Sequence, residues 1–382
     1  MKCWRPQSCL TLQLPEPKRA AAISTETVIA RTLAALVLVF LMTPIPRAQA
    51  PRPPSVDVSE TLACATVSAR SNAETLSGEM KLGRDYLVGN GVPRDPAQSA
   101  YWYGKAADQG DPYAQNQIGY FYISGTGVQR DPATAVKWFS RAMAGGSEPA
   151  KLNLAVMYLK GDGVSTDIGF GISLLHQLGE KGNARAEDYL GSAYFAGYGV
   201  PEDRKTAEKW FRKSARGRNP EGEFAMGTLY SVAEDHPHDY SRASKWLRSS
   251  AQAGFVPAMG SLGILLANHP ELPRKQPGEA VTLLQKAAEA GSWESSVALG
   301  VIFSAGRETR QDPFAACRWF AIAVRQAGTA AVESARTNLD KCRETLNPDQ
   351  LSQTTQAADA WLVQHPQEDL FVLSDGLAVP RM

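Results

Sequence analysis

Cysteine and histidine are scarce in this chain, with five of each among 382 residues. No CxxC pair occurs, and neither does a phosphate-cradling glycine loop or a dinucleotide fingerprint. His176, His269 and His365 are scattered. They form no legible nucleophile-and-base arrangement, and a catalytic triad is defined by geometry rather than by spacing. The sequence therefore implies no cofactor and no enzyme. An excess of one charge is also missing, with 40 basic against 39 acidic residues. Without residues 1–50 the count is 34 against 37. That balance gives no electrostatic reason to expect nucleic acid. Long apolar runs are absent too. The run from Thr32 to Met42 is too short to span a bilayer comfortably as a permanent helix.

What the chain has is a period. Trp102, Trp138, Leu174, Trp210 and Trp246 stand 36 residues apart. Tyr86, Tyr122, Tyr158, Tyr194 and Tyr230 keep the same step, as do Asp95, Asp131, Asp167, Asp203 and Asp239. A fixed period of this length marks a stacked-repeat architecture.

Residues 111–146 show the unit best. Ala114, Ile118, Phe121 and Tyr122 recur at helical spacing and give a first helix one apolar face. Gly119 lies inside that helix, where glycine costs about 1 kcal/mol against alanine. Close approach of a partner helix is the expected reason. Gly83, Gly191, Gly227, Gly263 and Gly300 hold the same place, with Ala155 as the small substitute. Gly125 and Gly127 then make a turn that can use positive φ. Asp131-Pro132 opens a second helix as cap and first helical residue. Trp138 and Phe139 supply its apolar bulk, and Gly146 ends it. Even spacing places each periodic aspartate on its own repeat, so capping is expected rather than a shared carboxylate site.

These residues closely resemble the Sel1-like repeat, a relative of the tetratricopeptide repeat. The match is carried by Ala114, Ile118-Gly119, Tyr122, Gly125-x-Gly127-Val128, Asp131, Trp138-Phe139 and Gly146. The resemblance implies an all-α, right-handed α-solenoid of about seven 36-residue helix-turn-helix repeats with helical caps. The repeats are expected at 75–110, 111–146, 147–182, 183–218, 219–254, 255–291 and 292–328. Some depart from the pattern. Repeat three has Leu174-Leu175 for the aromatic pair, and repeat four has Arg218 at the closing glycine. Repeat five replaces the glycine turn, and repeat six carries a proline-rich turn at 269–279. Cysteine-rich members with a cysteine pair in each repeat are not matched.

Around the repeats the chain divides further. Residues 1–50 read as a targeting segment: Arg31, the apolar run, then Ala48-Gln49-Ala50. Cleavage near Ala50 would place the protein in the periplasm or outside the cell, with no membrane span left after processing. An anchor through 32–42 is the alternative. A start at Val28 would give a signal of ordinary length. Residues 51–74 are expected to form a proline-rich linker and a leading cap helix that carries Cys64. Residues 329–363 are expected to form a helical cap with a break at Asn347-Pro348 and a late Trp361, as such proteins often have. Residues 364–382 show no period and are expected to be a mobile tail.

The turn Glu234-Asp235-His236-Pro237-His238-Asp239 holds metal-ligand side chains. It lacks helical i, i+4 histidine spacing, so a solvated turn is the expectation and metal binding the alternative. Cys317 and Cys342 stand 12 and 13 residues from a turn near Thr329. An antiparallel hairpin would bring them level and permit a disulfide; two small buried thiols are the alternative. The periodic aromatics are expected to pack. A partner should instead meet first-helix positions where the period does not dictate the residue. These are Tyr113, Asn116, Tyr120, Leu152, Val156, Arg185, Asp188, Ser192, Phe224 and Thr228. In related solenoids first helices line the concave side. The expected function is an exported, non-catalytic scaffold that binds a protein or peptide, in bacterial envelope assembly or regulation. A cell-wall-directed hydrolase and a glycan- or peptidoglycan-binding module are the alternatives.

Overall fold

The computed structural model describes residues 75–232, 239–274, 276, 278–306, 309–327, 332–365, 370–372 and 378–380. The targeting segment, the leading cap helix, Cys64 and residues 234–238 of the acidic-histidine turn lie outside them. Sixteen helices fill most of the described chain. In the first four repeats the helix pairs are α1 Leu76–Val88 with α2 Pro96–Asp108, α3 Pro112–Ser124 with α4 Pro132–Ala144, α5 Glu148–Lys160 with α6 Ile168–Glu180, and α7 Ala184–Ala196 with α8 Arg204–Arg216. Three more pairs follow: α9 Pro220–Val232 with α10 Tyr240–Gln252, α11 Val256–Asn268 with α12 Glu279–Glu289, and α13 Trp293–Ala305 with α14 Pro313–Gln326. The cap is α15 Val332–Arg343 and α16 Pro348–Gln364.

The boundaries follow from capping chemistry. The Asp111 carboxylate accepts from the Ala114 amide at 2.7 Å and opens α3. Asp95, Asp131, Asp167, Asp239 and Asp312 cap α2, α4, α6, α10 and α14 the same way. Each satisfies donors that a helix start leaves open. Gly125 closes α3 in the left-handed region at φ 75°. Two residues on, Gly127 has φ 67°, and a side chain there would collide with the Pro96 carbonyl at the start of α2. Gly163 meets the Pro132 backbone in the same way, so in repeats two and three the second turn glycine seats the repeat on the preceding one.

A backbone bond explains why the tyrosine and aspartate keep step. The Asp131 amide donates to the Tyr122 carbonyl at 2.8 Å. Equivalent bonds join Asp95 to Tyr86, Asp167 to Tyr158, Asp203 to Tyr194 and Asp239 to Tyr230. Each ties the end of a first helix to the cap of the second.

The helices form two compact units, one ending at Trp210 and one running from Phe211 to Gln367. In the first, α1 to α7 each pack on the next. Their core holds Tyr103, Phe121, Phe139, Leu154, Leu175 and Leu190, all essentially without solvent contact. Burying one such side chain contributes roughly 1.5–3 kcal/mol. In the second unit α9 to α14 pack in sequence around Met226, Leu247, Leu265, Leu284, Leu299 and Phe320.

The irregular turn of repeat six has its own chemistry. Arg274 donates to the carbonyls of Leu266, at 2.5 Å, and Pro270, at 2.7 Å. Arg248 on α10 is ion-paired with the buried Glu279 at the start of α12. Arginines also reach back in the glycine turns of repeats one and two, where Arg94 donates to the Leu87 carbonyl and Arg130 to the Ile123 carbonyl.

At the C-terminal end α15 and α16 both pack on α14. Cys317 and Cys342 form a disulfide, with Cα atoms 5.6 Å apart. Asn347 and Gln350 make a reciprocal capping box at the start of α16. Trp361 meets Trp319 edge-on at 5.4 Å, and Arg325 pairs with Asp359 at 2.8 Å. Within 364–382, where the sequence shows no period, β1 Leu370–Val372 pairs antiparallel with β2 Ala378–Pro380. The register sets Phe371 opposite Val379.

Candidate functional site

The ten first-helix positions do not share one environment. In the unit ending at Trp210, Tyr113, Tyr120, Val156, Asp188 and Ser192 are half-buried and Arg185 is exposed. Asn116 and Leu152 are 1% and 5% exposed. In the other unit, Phe224 and Thr228 are 3% and 0% exposed. These four correct the expectation of an open face. A first helix has neighbours on several sides, so its buried arc is wider than one apolar stripe. Asn116 reaches Asn153 of the next repeat's first helix, and Phe224 packs on Phe255 with ring centroids 5.4 Å apart. The Thr228 hydroxyl turns back to the Phe224 carbonyl at 2.9 Å.

Tyr120, Val156 and Ser192 hold equivalent places in three successive repeats, and all three stay half-exposed. A polar ladder braces this column. The Tyr120 hydroxyl donates to Asn153 Oδ1 at 3.0 Å, and Asn153 Nδ2 donates to Asn116 Oδ1 at 3.0 Å. Asn116 Nδ2 is buried with no hydrogen-bond partner. Tyr120 also meets Phe139 edge-on at 5.7 Å, so this ring belongs partly to the core. Gln117 Nε2 donates to the Tyr113 hydroxyl at 2.8 Å. Sequence reasoning missed Asn153. Its signal was present: it holds the position of Gln117 one period later, an amide on a face otherwise filled with apolar residues.

Charge enters at the edge of this face. Arg130 and Asp162 bridge the turns of repeats two and three at 3.0 Å. Burial lowers the Lys160 pKa, against the pull of nearby Asp162. The second helices carry the periodic tryptophans half-buried, with cations beside them. Arg141 lies 4.7 Å from the Trp138 ring, and Lys105 Nζ is 5.1 Å from Trp102. Among the described residues no group of three or more His, Cys, Asp or Glu could hold a metal ion.

Helix pairs recurring at one period, most with an aspartate cap on the second helix, define an α-helical repeat protein of the solenoid class. The Sel1 repeat pattern matches seven times, at 76–111, 112–147, 149–183, 184–219, 220–255, 258–292 and 293–327. The chain belongs to the Sel1 repeat family, whose members typically act as protein–protein interaction scaffolds. It is similar to a Sel1 repeat protein from Oxalobacter formigenes, 27% identical, over 66% of this chain and 100% of that one, with a TM-score of 0.58. It is also similar to a protective antigen of uropathogenic Escherichia coli with an SLR fold, 27% identical, over 79% and 71% of the two chains, with a TM-score of 0.45. An immunity protein from Pseudomonas aeruginosa is 16% identical over 70% and 91%, with a TM-score of 0.41. Comparison with curated proteins gives no match.

Proposed function

We propose that this protein is an exported scaffold that holds a partner protein or peptide against its first helices, in bacterial envelope assembly or regulation. One observation carries the reading: the half-exposed column Tyr120, Val156 and Ser192, braced from beneath by the Asn116–Asn153 ladder. Tyr113 and Asp188 flank it on α3 and α7. A rigid, mixed aromatic and polar face suits protein recognition, where a few anchors supply most of the energy. Export rests on the order Arg31, apolar run, Ala48-Gln49-Ala50.

The test uses Val156→Glu with Ser192→Arg, and Lys137→Glu on α4 as an outer-face control. Partner capture from envelope extract and thermal melting are measured together. The column variant loses capture at an unchanged melting temperature, while the control retains it. Equal capture by all forms removes the face from consideration. Intact-mass analysis of envelope protein tests cleavage near Ala50, and a retained apolar run means an anchored protein instead.

A further inference from the structure

Lys160 departs from the repeat. It is the last residue of α5 and stands four residues after Val156, the middle member of the half-exposed column. Residues four apart on a helix are neighbours on its surface. The equivalent last residues of α3 and α7 are Ser124 and Ala196. A helix dipole favours a cation in the last turn. Those two helices end without one, so the repeat does not require it.

The surroundings do little to hold the charge. Lys160 is half-buried, and burial lowers its pKa by disfavouring the charged amine. Asp162 pulls the other way, but both of its carboxylate oxygens accept from Arg130, at 3.0 and 3.2 Å. Among the described residues the Lys160 amine makes no hydrogen bond and no ion pair. The fold thus keeps a partly desolvated, unpaired cation beside the Tyr120, Val156 and Ser192 column, where charge complementarity with a partner sets specificity.

We propose that Lys160 pairs with an aspartate or glutamate side chain of the bound partner, so that this face selects a peptide segment carrying an acidic residue close to an apolar one. The inference rests on the partner-binding reading of the same face. Val156 offers an apolar contact and Lys160 a charged one, about 6 Å apart along α5. An extended segment covers about that distance in two residues. One ammonium matches one carboxylate. A phosphate group is held by clustered arginines, and Arg130 in the neighbouring turn is already paired with Asp162.

The probe is a random library of acetylated nonapeptide amides, panned on the processed full chain. The blocked ends leave side chains as the only source of carboxylate. Wild type should enrich aspartate or glutamate several-fold within two residues of an apolar position. Lys160→Met should keep the apolar preference and lose the acidic one. A selected acidic peptide should bind Lys160→Met about fivefold more weakly than wild type, the range of one partly exposed ion pair. The same peptide with its acid replaced by the amide should bind both proteins equally. Lys160→Arg keeps the charge and should keep the acidic preference. Melting of Lys160→Met should be unchanged or higher, because a desolvated charge is removed. If it melts early instead, Lys160→Gln must show the same loss of preference. Peptides that are lost with Val156→Glu but carry no acidic preference overturn this inference and leave the face standing. Acidic preference that survives in Lys160→Met and Lys160→Gln also overturns it. Selection unaffected by Val156→Glu, or no selection by wild type, overturns the inference together with the reading beneath it.

Discussion

Gly119 on α3 faces the Phe139 ring on α4 at a distance that leaves no room for a side chain. A Cβ at 119 would lie 2.7 Å from the ring. The same relationship joins Gly83 to Tyr103, Gly227 to Leu247, Gly263 to Leu284 and Gly300 to Phe320. Repeat three shows the compensated form, with Ala155 and Leu175 both buried at the equivalent positions. Gly119→Ala is therefore expected to destabilise by about 1–3 kcal/mol through overpacking. Adding Phe139→Leu should recover much of the loss. Urea unfolding of the single and double variants measures both. A Gly119→Ala variant as stable as wild type would remove close approach as the reason for the glycine.

The Asn116–Asn153 bond joins a buried amide to a half-buried one and is expected to behave as a coupled pair. Asn116→Ala leaves Asn153 Nδ2 without this acceptor and should cost about 0.5–1.5 kcal/mol. Replacing both asparagines with leucine should cost less than the two single changes added together. A double-mutant cycle in urea checks this. Additive losses would mean that the ladder is not coupled.

The Cys317–Cys342 disulfide closes a loop with a sequence separation of 25. Both residues are buried, so mild reductant should act slowly on the folded chain. Cys317→Ala with Cys342→Ala should destabilise the C-terminal helices by about 3 kcal/mol. Hydrogen exchange should report the loss in α14 to α16, with α1 to α7 unchanged. Non-reducing peptide mapping of exported protein should recover the linked pair; two freely alkylated thiols would contradict the bond.

Acid should loosen particular helix starts. The Thr134 hydroxyl and amide hold the Asp131 pKa below the ordinary carboxylate value, and Thr206 does the same for Asp203. A lowered folded-state pKa stabilises above the unfolded value, and this contribution is lost as pH falls through the folded one. Thr134→Val with Thr206→Val should therefore move acid unfolding to higher pH. Circular dichroism from about pH 5 to about pH 2 follows it. An unshifted acid transition would assign no role to the hydroxyls.

Glu294 has the opposite sign. Burial raises its pKa, despite a hydrogen bond from Ser292 at 3.2 Å. Its contribution is present at low pH and lost as pH rises through the raised value. Glu294→Gln should melt higher than wild type at neutral pH, with the gap closing on acidification. A gap independent of pH would locate the effect in packing rather than ionisation.

The sequence by itself determined the family, the count of repeats and the helix ends. Those depend on local chemistry: Asp131 caps its own helix, Gly125 takes positive φ, and Trp138-Phe139 repeats at a fixed step. A period also exposes positions freed from local duty, and Tyr120, Val156 and Ser192 among them are half-exposed. Burial at those positions was a tertiary matter. Asn116, Leu152 and Phe224 share a helical phase with the half-exposed Asp188, and Thr228 shares one with Tyr120, yet all four are buried. Helical phase says which way a side chain points, whereas only packing says whether another helix stands in that direction. The Asn116–Asn153 ladder and the Arg248–Glu279 pair were illegible for the same reason. Each joins residues about one period apart, and their contact depends on how adjacent repeats stack rather than on either helix alone.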